Sequence, residues 1–102
     1  MIVGQMVKEP SEEIAVGIDF TADLATGESV IIVLDATAKN YATLADTSLT
    51  FLTPVTAIIS GNTASVRCRG GLHGESHVIQ LRVGTTMGNI FEHEVEVAVV
   101  ES

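Results

Sequence analysis

From Glu75 to Val99 the chain alternates apolar and polar residues in two successive runs with one turn between them. His77, Ile79, Leu81 and Val83 share a face of the first run, and Phe91, His93, Val95, Val97 and Val99 share a face of the second. A hairpin folded about Met87 sets Val83 against Phe91, Leu81 against His93, Ile79 against Val95 and His77 against Val97. Both apolar rows then fall on one side, and a register one residue away would send one row into solvent. Such a pattern requires antiparallel strands with one buried face.

The rest of the chain repeats the pattern in shorter pieces. Ile14, Val16, Ile18 and Phe20 alternate with small or acidic residues, and Asp23 to Gly27 reads as a connection with one helical turn around Ala22 to Ala25. Ser29 to Ala38 reads as a strand with Val30, Ile32, Leu34 and Ala36 on one face and Ile31, Val33, Asp35 and Thr37 on the other. Thr47 to Leu52 and Val55 to Ser60 read as two strands parted at Pro54, which cannot donate to a ladder. Ala64 to Arg69 completes a set of about seven short strands with turn signals every eight to twelve residues. No window repeats at 3.6 residues, so a doubly wound α/β fold is excluded. The expected fold is all-β, an immunoglobulin-like Greek-key β-sandwich, with a small β-barrel as the alternative. It occupies residues 1–102 as one domain, with 1–11 as a flexible or partner-docking N-terminal segment.

Composition narrows the function. Thirteen acidic residues against five basic ones give a formal charge of -8, which opposes binding to a phosphate backbone, so no nucleic-acid partner is expected. The longest apolar run, Val30 to Leu34, is far shorter than the roughly 20 residues of a membrane span, so no membrane partner is expected either. The first residues do not read as a secretory leader. Cys68 stands alone and reads as a buried, inert thiol.

Residues that could carry chemistry do not converge in the sequence. His73 and His77 are four apart in a turn and strand, His93 lies across the last hairpin, and Cys68 is the only soft ligand nearby, so no metal is expected. Glu92, Glu94 and Glu96 project together from the last strand and read as a solvated face that resists edge pairing. There is no nucleophile elbow, His-Glu-x-x-His motif or phosphate loop, and no catalytic residue or cofactor is expected. Gly70, Gly71 and Gly74, and Gly88 in the last turn, read as positions that need left-handed backbone angles.

Several short motifs together resemble a known family. They are Lys8-Glu9-Pro10 before the first strand, Ile18-Asp19-Phe20, Leu24-Ala25-Thr26-Gly27-Glu28-Ser29-Val30, the Gly-Gly-x-x-Gly of Gly70 to Gly74, and Gly84-Thr85-Thr86-Met87-Gly88. In this combination, from residue 8 to about residue 99, the chain resembles the phage fibre-tail adaptor or virion-associated immunoglobulin-like proteins of tailed bacteriophages and prophages. It departs from the family at His77 and Val78, where an aromatic residue is usual.

The resemblance implies a non-enzymatic structural protein of a phage or prophage particle, assembled in the bacterial cytoplasm. It would pack in the neck, tail or fibre region against other virion proteins and form a homo-oligomer. The sequence offers matching interface candidates. Ile31, Val33 and Ile58 are apolar residues left over after one core is filled. Tyr41 is the only aromatic side chain of the polar stretch Lys39 to Asp46, and Arg67 and Arg69 are basic residues suited to a neighbouring subunit. The competing reading is an adhesion-type module that recognises protein or glycan through the Lys39 to Asp46 and Gly70 to Gly74 loops.

Overall fold

The computed structural model describes residues 2–53 and 57–101, which form two β-sheets. The strands are β1 (Ile2–Lys8), β2 (Ile14–Asp19), β3 (Val30–Asn40), β4 (Ile58–Ser60), β5 (Thr63–Cys68), β6 (Ser76–Thr85) and β7 (Ile90–Val99). One sheet runs β1-β7-β6-β3 and the other β2-β5-β4. The two face each other as a sandwich with no closed barrel, and the apolar rows of both meet between them in one cluster that includes Val16, Ile18, Phe20, Val66, Leu81 and Val97. Pro54, the expected break, and Val55 and Thr56 of the expected strand Val55 to Ser60 lie outside the described residues; the strand observed there is Ile58–Ser60.

The closing hairpin has the register read from the alternation. Val83 pairs with Phe91, Leu81 with His93, Ile79 with Val95 and His77 with Val97. Val83, Leu81, Ile79, Val97 and Val99 are fully buried, which is what a two-layer fold requires of the inward positions of its central strands.

Three elements differ from the expectation, each for a physical reason. Ser48–Phe51 form a single helical turn, α1, where a strand over Thr47 to Leu52 was expected. Phe51 and Leu52 are adjacent in sequence and both buried. A strand would have thrown them to opposite faces, whereas a turn closed by the Phe51 N–H donating to Thr47 O at 2.8 Å brings both to the core. Residues 2–8, to which the sequence reading gave no strand, pair in parallel with β7. Their apolar residues do not alternate, and their partner lies about ninety residues away, so no local pattern marks them.

The third difference concerns β3. Its pairing with β6 slips between Val30 and Ile32 and again between Val33 and Asp35, so Ile31 and Leu34 are extra residues. Each bulge reverses the faces that follow. Val30, Val33, Ala36 and Ala38 consequently pack inward, opposite Thr85, Val83, Leu81 and Ile79, while Ile31, Ile32 and Leu34 are exposed. The expected division, with Ile32 and Leu34 sharing one face with Val30 and Ala36, is corrected by these two insertions.

Buried polar groups fasten the two ends of the sandwich. Lys8 is 1% exposed, and its Nζ donates to Gly70 O at 2.5 Å, Glu9 O at 2.7 Å and Pro10 O at 3.4 Å. At the other end Glu28 accepts from Thr85 Oγ1 at 2.5 Å, Asn89 Nδ2 at 2.7 Å and the Ala25 N–H at 2.9 Å, tying the β2–β3 connection to the last turn. These bonds, the Thr85 hydroxyl first, hold the Glu28 carboxyl below its ordinary value of 4.5. Glu75 is lowered by the Leu72 N–H and then by His77, and Asp19 and Asp46 by Thr21 and Ser48.

A depressed carboxyl contributes stability above its unfolded pKa, and the contribution disappears as pH falls through the folded value. The melting temperature is therefore expected to hold near neutrality and to drop as pH falls from about 5 toward 3. Glu28→Gln should melt lower at pH 7 and show a shallower acid slope. An unchanged slope in that variant would show that Glu28 takes no part in the acid transition.

Candidate docking surface on the four-stranded sheet

The outward face of β1-β7-β6-β3 has an apolar end and a grooved end, separated by charge. At the end nearest the last turn, Ile32 and Ile90 flank Gly84 across the three strands β3, β6 and β7. A Cβ on Gly84 would lie 3.0 Å from Ile32 Cγ2 and 3.8 Å from Leu34 Cδ1, so both aliphatic side chains lean over β6 where it has no side chain of its own. Ile31 (59% exposed), Ile32, Leu34 and Ile90, with Met87 in the adjoining turn, form an exposed apolar group. The next outward row sets Asp35 opposite Arg82 and Arg82 opposite Glu92.

Toward the other end the face is hollowed. Val78 forms the floor of a groove of about 310 Å³ walled by Ile2 of β1 on one side, by Tyr41 and Leu44 on the other, and bordered by Lys39 and Glu94. A second depression of about 280 Å³ shares Lys39, Leu44, Val78 and Glu94 and continues over Thr37 and Gln80. The loop that makes the wall is tightly built. Asn40 Oδ1 accepts from the Ala42 and Thr43 N–H groups, and Asn40 O accepts from the Leu44 N–H at 2.8 Å. Leu44 adopts a left-handed φ of 61° while its side chain is 66% exposed. A non-glycine residue there is strained by roughly 1–2 kcal/mol, and such strain is characteristic of sites under functional constraint.

Not all the residues singled out in the sequence come together. Ile31 lies in the apolar group and Tyr41, half exposed, walls the groove. Val33 does not join them: the bulges turn it inward opposite Val83, where it packs against the core. Ile58 is exposed while its neighbours Ala57 and Ile59 pack inward, but it belongs to the other sheet. Arg67 is also on that sheet, with Nε donating to Glu13 Oε1 at 3.2 Å, and Arg69 is exposed just beyond β5. The candidates are thus split between opposite faces. Ile32, Leu34 and Ile90 were missed, and only Ile90 had a signal, being the one aliphatic residue in the row of Glu92, Glu94 and Glu96; Ile2 and Leu44 fall within the segment 1–11 and the Lys39 to Asp46 loop but were not singled out there.

Gly70, Gly71, Gly74 and Gly88 all have positive φ. Gly71 is also packed shut, as a Cβ there would lie 2.7 Å from Val99 Cγ2. The loops at this end do not share one concavity, because Gly71 and Leu72 line a separate depression with Phe51 and His77.

Among the described residues no three His, Cys, Asp or Glu side chains converge on a point where a metal could sit. His77 stacks on Phe51 with ring centroids 4.0 Å apart, and its Nδ1 and Nε2 bond to Thr47 Oγ1 at 3.1 Å and Glu75 Oε1 at 3.2 Å. That chain of groups clamps α1 onto β6. His93 Nε2 lies 2.6 Å from Asp23 Oδ2, and His73 Nδ1 accepts from the Glu101 N–H. Cys68 is fully buried, and burial pushes its thiol pKa up.

The family model described as podophage GP4 fiber-tail adaptor protein gp77 matches residues 8–98. The chain belongs to that family. The match begins at Lys8, where the motif-based resemblance also begins; it takes in only that last residue of β1, the whole of β2 to β6, and β7 up to its last residue. A comparison with curated proteins returned no match. Membership makes the adaptor a structural phage protein by family.

Proposed function

We propose that this adaptor is a non-enzymatic structural component of a tailed-phage particle that packs against other virion proteins, and against further copies of itself, through the outward face of β1-β7-β6-β3. The observation that carries the proposal is the double bulge of β3, which exposes Ile31, Ile32 and Leu34 beside Ile90. Four large aliphatic side chains grouped at one end of a sheet are the kind of surface that partners cover. Family membership supports a place in the virion. The strand order supports the immunoglobulin-like assignment: β3, β6 and β7 correspond to C, F and G, and β2, β5 and β4 to B, E and D.

Replacing Ile31 and Ile32 together with serine tests this reading. The double variant is expected to melt within a few degrees of the parent, because both side chains are exposed, and to lose self-association and incorporation into particles. Molar mass by light scattering across micromolar concentrations and the protein content of purified particles are the readouts. Val33→Ser is the contrasting control, expected to cost about 1–3 kcal/mol of stability because its side chain packs inward. A parent that stays monomeric and enters no particle contradicts the proposal.

A further inference from the structure

We propose that the free edge of β1 receives an extended strand from another protein of the particle, one with basic side chains at alternate positions. This inference rests on the adaptor reading above and adds to it a second contact with its own partner chemistry. Among the described residues the four-stranded sheet ends at β1 on one side and at β3 on the other. Sheet edges are templates for strand addition unless something blunts them. Two bulges and the exposed residues Asp35 and Lys39 blunt β3. In the other sheet β4 is three residues long, and β2 follows Glu12 and Glu13 and ends at Asp19.

β1 has little such protection. Its one irregularity is near Val3, and Gly4 to Lys8 run in unbroken register with Val95 to Val99. Its one charged residue, Lys8, is turned inward with its ammonium held by carbonyl oxygens of Glu9, Pro10 and Gly70. Ile2, Val3 and Val7 are exposed aliphatic residues, Val7 at 69%.

Charge identifies the occupant. Beside β1, Glu94 and Glu96 project outward from β7, and Gln5 Nε2 donates to Glu96 Oε1 at 2.9 Å. A strand added to β1 would lie roughly 5 Å beyond it and about 10 Å from that acidic row. Lysine or arginine side chains leaning across Gln5 and Val7 span most of that distance, within about one Debye length of the carboxylates. A second copy of this chain offers no such cation: its own β1 would bring an inward Lys8 and a further row of glutamates, in a domain already at -8.

A photo-crosslinking residue placed at Val7, in particles assembled with the full chain, tests the proposal. Melting of the purified variant confirms the fold. The expected product joins residue 7 to an extended segment of a different protein with Lys or Arg at alternate positions. Its yield should fall about tenfold when Glu94→Gln and Glu96→Gln are combined. A crosslink to a second copy, a segment without alternating basic residues, a yield unaffected by the glutamine variants, or no crosslink in particles that contain the chain overturns the edge inference alone. Absence of the parent chain from particles overturns the adaptor reading and this inference with it.

Discussion

Replacing Gly71 with alanine is expected to destabilise the domain by about 2–5 kcal/mol, the sum of a left-handed backbone forced on a residue with a Cβ and an overpacked contact. The angle is φ +85°, and the new methyl would meet Val99 Cγ2 at 2.7 Å and Phe51 Cε1 at 3.4 Å. Val99 is fully buried and β-branched, so its side chain has little freedom to move away. Gly74→Ala is the internal comparison. Its φ is +92°, but nothing lies within 4 Å of the added carbon, so only the backbone cost of about 1–2 kcal/mol remains. Urea unfolding of the two variants separates packing from conformation. Equal losses would show that the Gly70 to Gly74 link relaxes around a side chain.

The second large effect is expected at Lys8. Lys8→Met keeps most of the apolar stem and removes the charge-assisted bonds to Gly70 O and Glu9 O, at a cost of about 2–4 kcal/mol. Lys8→Ala should cost more, because it also empties the space beside Phe51, whose ring centroid lies 5.9 Å from Nζ. The bonds join the end of β1 to the glycine link, so hydrogen exchange in residues 2–8 should quicken in both variants before the rest of the sheet is affected. A Lys8→Met protein as stable as the parent would mean that the carbonyls find other donors and that the lysine does not hold β1 in place.

The sequence was most legible where two alternating runs had to agree with each other. The β6–β7 register has Ile79, Leu81 and Val83 meeting Val95, His93 and Phe91 on one face, and a register one residue away would bury only one of the two rows. The glycines were legible because positive φ admits few alternatives at Gly70, Gly71, Gly74 and Gly88. In β3 the same reasoning failed. Val30 to Leu34 is an unbroken apolar run, and nothing local says which residues a bulge will leave unpaired, so Val33 was placed outside and Ile32 and Leu34 inside. α1 was lost to the same limit, since adjacent Phe51 and Leu52 satisfy neither period until tertiary contacts choose one.

The candidate surface was legible only in fragments. Exposure of Ile31 and Ile58 followed from strand alternation, yet the sheet that each strand enters depends on pairings with no local signature. Ile58 and Arg67 therefore lie on the face opposite Ile31 and Tyr41. The strained loop at Leu44, which walls the groove over Val78, is a product of three-dimensional packing and has no mark in composition.

The central claim is that a tailed-phage particle holds this adaptor by the outward face of its four-stranded sheet. A reconstruction of the tail region of particles assembled with this chain, at a resolution that places side chains, tests it most directly. The account predicts Ile31, Ile32, Leu34 and Ile90 covered by neighbouring protein. A reconstruction that leaves those four side chains in solvent, with contacts made by the face carrying Ile58 and Arg67 or by the end loops alone, would contradict it.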